Sequence, residues 1–202
     1  MDEKDFQIRW RYGAQFDSWL AHDGNSLWPG IRRFKVAKEP VVAVGHHVLM
    51  TLNVGDPAPD FTIPDQNGEE VTLSALRGNP VVVYFYPKAS TPGCTIQACS
   101  VRDHRDQYTG LGATVLGVSP DPVKPIAKFV EKEQLNFTLL SDSDHKVADD
   151  YGVWVEKSLY GRTYWGNERT TFVIDADGKI SHIFRKVKPA EHDEKVLAAL
   201  AE

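Results

Sequence analysis

The sequence predicts an α/β protein, with a central mixed sheet flanked by helices. Three observations lead there. From Met50 onward, short β-branched and aromatic runs alternate with amphipathic helical stretches, the pattern of βαβ units. The run Val81-Val82-Val83-Tyr84-Phe85-Tyr86 contains no charged residue, as a strand buried on both faces requires. Asp175-Ala176-Asp177-Gly178 is a turn joining two further apolar runs, which adds an antiparallel hairpin at one edge.

Taken in order, the first strand of the regular region is Val81–Tyr86, ended by Pro87. A helix is expected from about Thr95 to Tyr108, with Ala98, Val101, Arg105 and Tyr108 at helical spacing and Gly110 and Gly112 closing it. Thr114 to Val118 is the next strand. A helix then runs to about Gln134, with Ser119 or Asp121 as its cap, Pro122 and Pro125 in its first turn and a stripe of Ile126, Ala127, Phe129 and Val130. Phe137 to Leu140 is a strand, and Ser141-Asp142-Ser143-Asp144 caps a short helix ending at Tyr151. Thr170–Ile174 and Lys179–Phe184 form the hairpin, and Pro189 to Ala201 is a terminal amphipathic helix.

Composition narrows the function classes. The chain has 202 residues, 42% of them hydrophobic, 25% charged, and a net charge of −5, ordinary values for a globular protein. An acidic balance disfavours a nucleic-acid binder. No apolar stretch reaches the roughly 18 residues of a membrane-spanning helix. The start, Met1-Asp2-Glu3-Lys4-Asp5, lacks the basic and apolar regions of a secretory signal, so a cytoplasmic location is expected. There are two cysteines, too few for a disulfide scaffold; in a reducing compartment such a pair is redox-active or simply buried.

Cys94 and Cys99 carry the chemistry. In open α/β sheets, functional groups gather beyond the carboxyl ends of the strands, and Cys94 follows the end of the Val81–Tyr86 run. Pro92-Gly93 turns the chain into the next helix and aims unpaired N–H groups at the sulfur. A free thiol titrates near 8.5, leaving about 3% as thiolate at pH 7. Moving a thiol to about 6 needs about 3.4 kcal/mol of extra stabilisation of the anion. A cation must supply part of that, and Lys88, Arg102 and Arg169 are the candidates. Thr91 offers a hydroxyl able to donate and accept, suited to orienting a peroxide. Cys99 lies five residues after Cys94, which in a continuous helix separates the Cα atoms by about 8.7 Å. A disulfide needs about 4.4–6.8 Å. Bonding between the two thiols therefore requires the first turn to unwind, and the β-branched Thr95 and Ile96 weaken that turn. The inferred cycle is oxidation of Cys94 to a sulfenic acid, local unfolding, and attack by Cys99.

From about Met50 to its end the chain resembles the peroxiredoxins, specifically the bacterioferritin-comigratory-protein or PrxQ-like group. The resemblance rests on Gly55-Asp56-Pro57-Ala58-Pro59-Asp60-Phe61, Tyr84-Phe85-Tyr86-Pro87-Lys88, Thr91-Pro92-Gly93-Cys94-Thr95, Ala98-Cys99, Arg102-Asp103, Tyr160-Gly161 and Arg169-Thr170-Thr171-Phe172-Val173-Ile174-Asp175. It implies a thioredoxin-like fold and reduction of hydrogen peroxide or organic hydroperoxides. It further implies Cys94 as the peroxidatic thiol, Cys99 as the resolving thiol, Thr91 as the peroxide-positioning hydroxyl, Pro87 as the shield of the pocket and Arg169 as the cation beside the sulfur. Thioredoxin or a similar dithiol is the implied reductant, the implied assembly is a monomer or weak dimer, and no metal or organic cofactor is implied. Ser90 and Gln97 depart from the acidic residues common at these positions in the group.

Residues 1–49 have no counterpart in the resemblance. They carry Trp10, Trp19 and Trp28 at equal spacing, without matching neighbours, and a basic cluster at Arg32, Arg33 and Lys35. This segment is expected to be an over-long translation or a poorly ordered appendage to a domain of residues 50–202. The histidines, including the pair His46-His47, form no spaced ligand set with the cysteines, which disfavours a metal site. The absence of Gly-x-Ser-x-Gly disfavours a serine hydrolase, and the absence of Cys-x-x-Cys disfavours a disulfide oxidoreductase. The competing class is a thioredoxin-fold redox sensor or relay that binds a partner without efficient turnover.

Overall fold

The computed structural model describes residues 51–159 and 161–202. The expectations for residues 1–49, with their three tryptophans, and for the boundary at Met50 lie outside the described residues. The described residues begin with a small antiparallel pair, β1 (Thr62–Pro64) and β2 (Glu70–Thr72). Then come β3 (Val81–Phe85), α1 (Pro92–Asp103), α2 (Arg105–Gly110), β4 (Thr114–Ser119), α3 (Val123–Glu133), β5 (Thr138–Ser141) and α4 (Lys146–Asp150). A second hairpin, β6 (Trp154–Leu159) and β7 (Arg162–Asn167), precedes β8 (Thr170–Ile174), β9 (Ile180–Arg185) and α5 (His192–Leu200).

The central sheet runs β5-β4-β3-β8-β9. β3, β4 and β5 are parallel, while β8 is antiparallel to both β3 and β9. The sheet is therefore mixed, as predicted. β3 sits in the middle because every residue in it is apolar or aromatic and must be covered on both sides. Val81, Val83 and Phe85 join one core with Phe61, Leu116, Tyr151 and Phe172. Val82, Tyr84 and Tyr86 join the other, built with Cys94, Ala98 and Val101 of α1, Ile126 and Phe129 of α3, and Val196 of α5. Each such fully buried aliphatic or aromatic side chain contributes roughly 1.5–3 kcal/mol relative to exposure. Gly117 of β4 makes room for Tyr84, since a Cβ there would stand 2.7 Å from the phenol oxygen and 2.6 Å from Leu139.

The structure differs from the sequence reading at several points. α1 starts at Pro92, not Thr95, because proline fits the first helical position, where no N–H partner is needed. The expected single helix to Tyr108 breaks at His104, whose ring nitrogen Nδ1 lies 2.9 Å from the Ser100 carbonyl oxygen, at the end of the turn below. Asp121 does not cap α3, whose N-cap is Pro122 with no side-chain bond; its carboxylate is used elsewhere. Asp142 does serve α4, accepting from Val147 N at 3.1 Å and Ala148 N at 2.8 Å. The turn at Asp175–Gly178 forms with Gly178 at φ 84°, as a left-handed turn residue. The hairpins β1–β2 and β6–β7 were not anticipated.

Candidate active site

Topology alone brings the distant residues together. β3 ends at Phe85, which pairs antiparallel with Thr170 at the start of β8. The residue preceding β8 is Arg169, so it is delivered to the same end of the sheet from which the chain leaves β3 toward Cys94. Its guanidinium closes on α1: Arg169 Nη2 donates to Cys94 Sγ at 3.3 Å and Nη1 donates to Gln97 Oε1. Arg169 Nη2 also lies 3.5 Å from where a Cβ on Gly93 would stand. A cation at that distance favours a sulfur anion over a neutral thiol.

The helix start adds to this field. Pro92 has no N–H, and the N–H groups of Gly93 and Cys94 have no carbonyl one turn below them; the first backbone bond is Thr95 N to Thr91 O at 2.9 Å. Cys94 is 3% exposed, packed with Tyr84, Tyr86 and Ala89. Burial pushes the phenols of Tyr84 and Tyr86 well above the usual tyrosine range, helped in both by the nearby sulfur, in Tyr84 also by Tyr86 and in Tyr86 by Asp121, so they stay neutral.

Neither of the other two candidate cations bonds the Cys94 sulfur. Lys88 is exposed. Arg102 points along α1 toward Asp103 at 2.8 Å and the Glu133 carbonyl at 2.6 Å. Thr91 is the N-cap of α1 but makes no capping bond; its Oγ1 donates instead to Lys88 O at 3.0 Å, which leaves the oxygen lone pairs available. Pro87 is half-buried at the head of the loop. Ser90 adopts φ 60° within it and is exposed.

Cys99 is on the same unbroken helix as Cys94, half-buried, with its Sγ 3.9 Å from Glu133 Oε2. Both thiols are unpaired. The structure thus brings Arg169 onto Cys94, sets Thr91 at the start of the same helix with Pro87 in the loop before it, and leaves Cys99 about 1.4 turns away.

Three comparisons bear on identity. The AhpC/TSA family model matches residues 54–183. Peroxiredoxin Bcp of Escherichia coli is 54% identical over 151 residues, covering 75% of this chain and 97% of that protein. Among solved structures, peroxidoxin BcpB of Mycobacterium tuberculosis superposes with a TM-score of 0.67 at 40% identity, over 74% of this chain and 97% of that one. The bacterioferritin comigratory protein of Xanthomonas campestris, in a study of its alkyl peroxide reduction activity, gives 0.67 at 38% identity, over 70% of this chain and 90% of that one.

The chain belongs to the AhpC/TSA family. It is a peroxiredoxin of the Bcp group, a peroxidase that works through a cysteine thiol and draws on a thiol reductant. Its thioredoxin-like fold is shared with its structural neighbours.

Several residues of this peroxiredoxin's site have roles that the sequence reading does not give them. Asp121, at the end of β4, accepts from Ala89 N at 2.7 Å and from Ser119 Oγ at 3.1 Å, and so fixes the loop between Pro87 and Thr91. Nothing local reveals a bond spanning 32 residues. Gln97 is fully buried, and its Nε2 has no hydrogen-bond partner among the described residues. Asn167 is buried too, its Nδ2 donating to Tyr86 O at 3.4 Å. A cleft of about 390 Å³ lined by Arg105, Tyr108, Thr109, Asn136 and Thr138 lies at the other end of the sheet, beside the starts of β4 and β5, and holds neither thiol. No group of three or more metal-ligating side chains occurs among the described residues, and no described helix is long and apolar enough to cross a membrane.

Proposed function

We propose that Cys94 is the peroxidatic thiol of this enzyme and Cys99 its resolving thiol, acting on hydrogen peroxide and organic hydroperoxides. The observation that carries this reading is the 3.3 Å contact from Arg169 Nη2 to the Cys94 sulfur at an open helix N-terminus. The Cys94 thiolate attacks the terminal oxygen of the hydroperoxide. An S–O bond forms, the O–O bond breaks, and the departing alkoxide, or hydroxide when the substrate is hydrogen peroxide, takes a proton from solvent and leaves as alcohol or water. Thr91 orients the peroxide and Pro87 shields it from water. Arg169 stabilises negative charge on sulfur and then on the oxygens as it moves between them.

Cys99 cannot reach the resulting sulfenic acid while α1 is continuous. The first turn unwinds, the Cys99 sulfur attacks Cys94 Sγ, and a disulfide forms as the hydroxyl leaves with the thiol proton as water. Thioredoxin or a similar dithiol then exchanges with that disulfide, returning two thiols and leaving itself oxidised. Residues 50–202 make up the catalytic domain, with residues 1–49 an addition to it. The enzyme works in the cytosol as a monomer or weak dimer.

The test is a coupled assay with thioredoxin and its reductase. Continuous peroxide consumption, abolished by Cys94→Ser, is the expected result. A single stoichiometric oxidation without turnover would overturn it in favour of a sensor or relay. Peptide mass mapping of the protein from its native source tests the domain assignment, and sedimentation tests the assembly.

A further inference from the structure

Lys157 sits on β6 and has no part in the steps above. It is half-buried, and its ammonium donates to the backbone carbonyl of Asn167, at the foot of the same hairpin. Asn167 is itself tied to the end of β3 through Tyr86 O, next to Pro87. Glu168 N donates to Val153 O at 2.8 Å, and Arg169 follows. The lysine therefore closes the hairpin onto the short segment that aims Arg169 at Cys94.

A carbonyl can be satisfied by a neutral donor. Drawing an ammonium out of water costs free energy that a neutral donor would not incur, so the charge calls for a partner. The charged or titratable groups around Lys157 are few. Tyr164 pairs with it across the hairpin. Glu168 and Arg169 come from the connection to β8, and Cys94 comes from α1. Burial pushes the Lys157 amine below its ordinary value; Glu168 and the Cys94 sulfur pull it back up, while Arg169 pushes it further down. Glu168 already has Arg185 and Lys186, each at 3.7 Å. Glu168 thus has two cations beside it, and the Cys94 sulfur has one, Arg169.

We propose that Lys157 is a positioning residue for peroxide reduction: anchored on the Asn167 carbonyl, its positive charge supplements Arg169 in holding the Cys94 anion. This rests on Cys94 being the peroxidatic thiol. The hairpin carrying Lys157 then belongs to the catalytic apparatus and is more than a connection between α4 and β8.

The experiment measures the second-order rate of Cys94 oxidation by hydrogen peroxide, by stopped flow, in a Cys99→Ser background from neutral to alkaline pH. Lys157→Gln keeps a donor for Asn167 and removes the charge; Lys157→Arg keeps both. Lys157→Gln is expected to be about fivefold slower at neutral pH, the upper end of what a solvent-screened charge pair contributes. Lys157→Arg is expected to match the parent. The parent rate should fall at the alkaline end as the lysine loses its proton, and that fall should be missing from Lys157→Gln. Equal rates and the same alkaline limb in parent and Lys157→Gln would overturn the role of Lys157 alone. If Lys157→Gln does not fold, a parent rate that stays level at high pH overturns it. A parent in which Cys94 is not oxidised at all overturns the reading of the site, and this inference with it.

Discussion

Replacing Arg169 by methionine removes the charge that stands against Cys94 while keeping a side chain of similar length. Two unit charges 3.3 Å apart attract by about 5 kcal/mol at an effective dielectric near 20. Arg169 is partly open to solvent, and screening reduces that figure to about 2–3 kcal/mol, the range of a hydrogen bond to a charged group. At about 1.36 kcal/mol per decade, oxidation of Cys94 should slow roughly 30- to 150-fold. Arg169→Lys should fall between, because one ammonium cannot reach both the sulfur and the Gln97 amide as a planar fork does. The assay is stopped-flow oxidation by hydrogen peroxide in a Cys99→Ser background, with thermal melts to show that each variant is folded. A folded Arg169→Met protein that reacts at the parent rate would refute the electrostatic argument.

Cys99→Ser should leave the first oxidation at its normal rate, since Cys99 lies outside the site on the intact helix, yet abolish the Cys94–Cys99 disulfide and thioredoxin-driven cycling; unchanged cycling would mean that another thiol resolves Cys94. Gly117→Ala places a methyl 2.6–2.7 Å from Leu139 and Tyr84 and should lower stability in urea titration by about 1–3 kcal/mol through overpacking. Asp142 is buried, and burial pushes its carboxyl up from 3.8 to about 6, its two backbone bonds opposing the shift only in part. The folded state therefore binds this proton more tightly than the unfolded chain. The stability it adds is complete below about pH 4 and is lost as pH rises through about 6. Between pH 7 and pH 5 the wild type should gain on the order of 1 kcal/mol relative to Asp142→Asn in denaturant titrations, and parallel pH profiles would contradict this.

The central strands were legible because burial on both faces leaves no polar residue in Val81–Tyr86, a signal that survives without context. The turn at Asp175–Gly178 was legible for the same reason: its chemistry is local. The β6–β7 hairpin was not, because Glu156, Ser158, Tyr164 and Trp165 are exposed and, among the described residues, its strands form a two-stranded sheet of their own, so no clean alternation marks it. That hairpin carries Lys157 and ends at Asn167, which explains why half of the supporting shell went unread. Cys94, Cys99, Thr91 and Pro87 could be singled out from one short segment and its family resemblance. The choice of Arg169 over Lys88 and Arg102 needed either that resemblance or the antiparallel pairing of β3 with β8. Asp121 shows the opposite failure. It stands where a helix cap belongs, but tertiary structure spends its carboxylate on the Ala89 amide across the site.

The account depends on the Cys94 sulfur being the atom that takes oxygen from a peroxide. Reduced Cys99→Ser protein treated with equimolar hydrogen peroxide and then with dimedone tests this most directly, read out by peptide mass mapping. The account predicts a sulfenic-acid adduct on Cys94 that disappears in Arg169→Met at short reaction times. Recovery of Cys94 as an unmodified thiol while peroxide is consumed would contradict it.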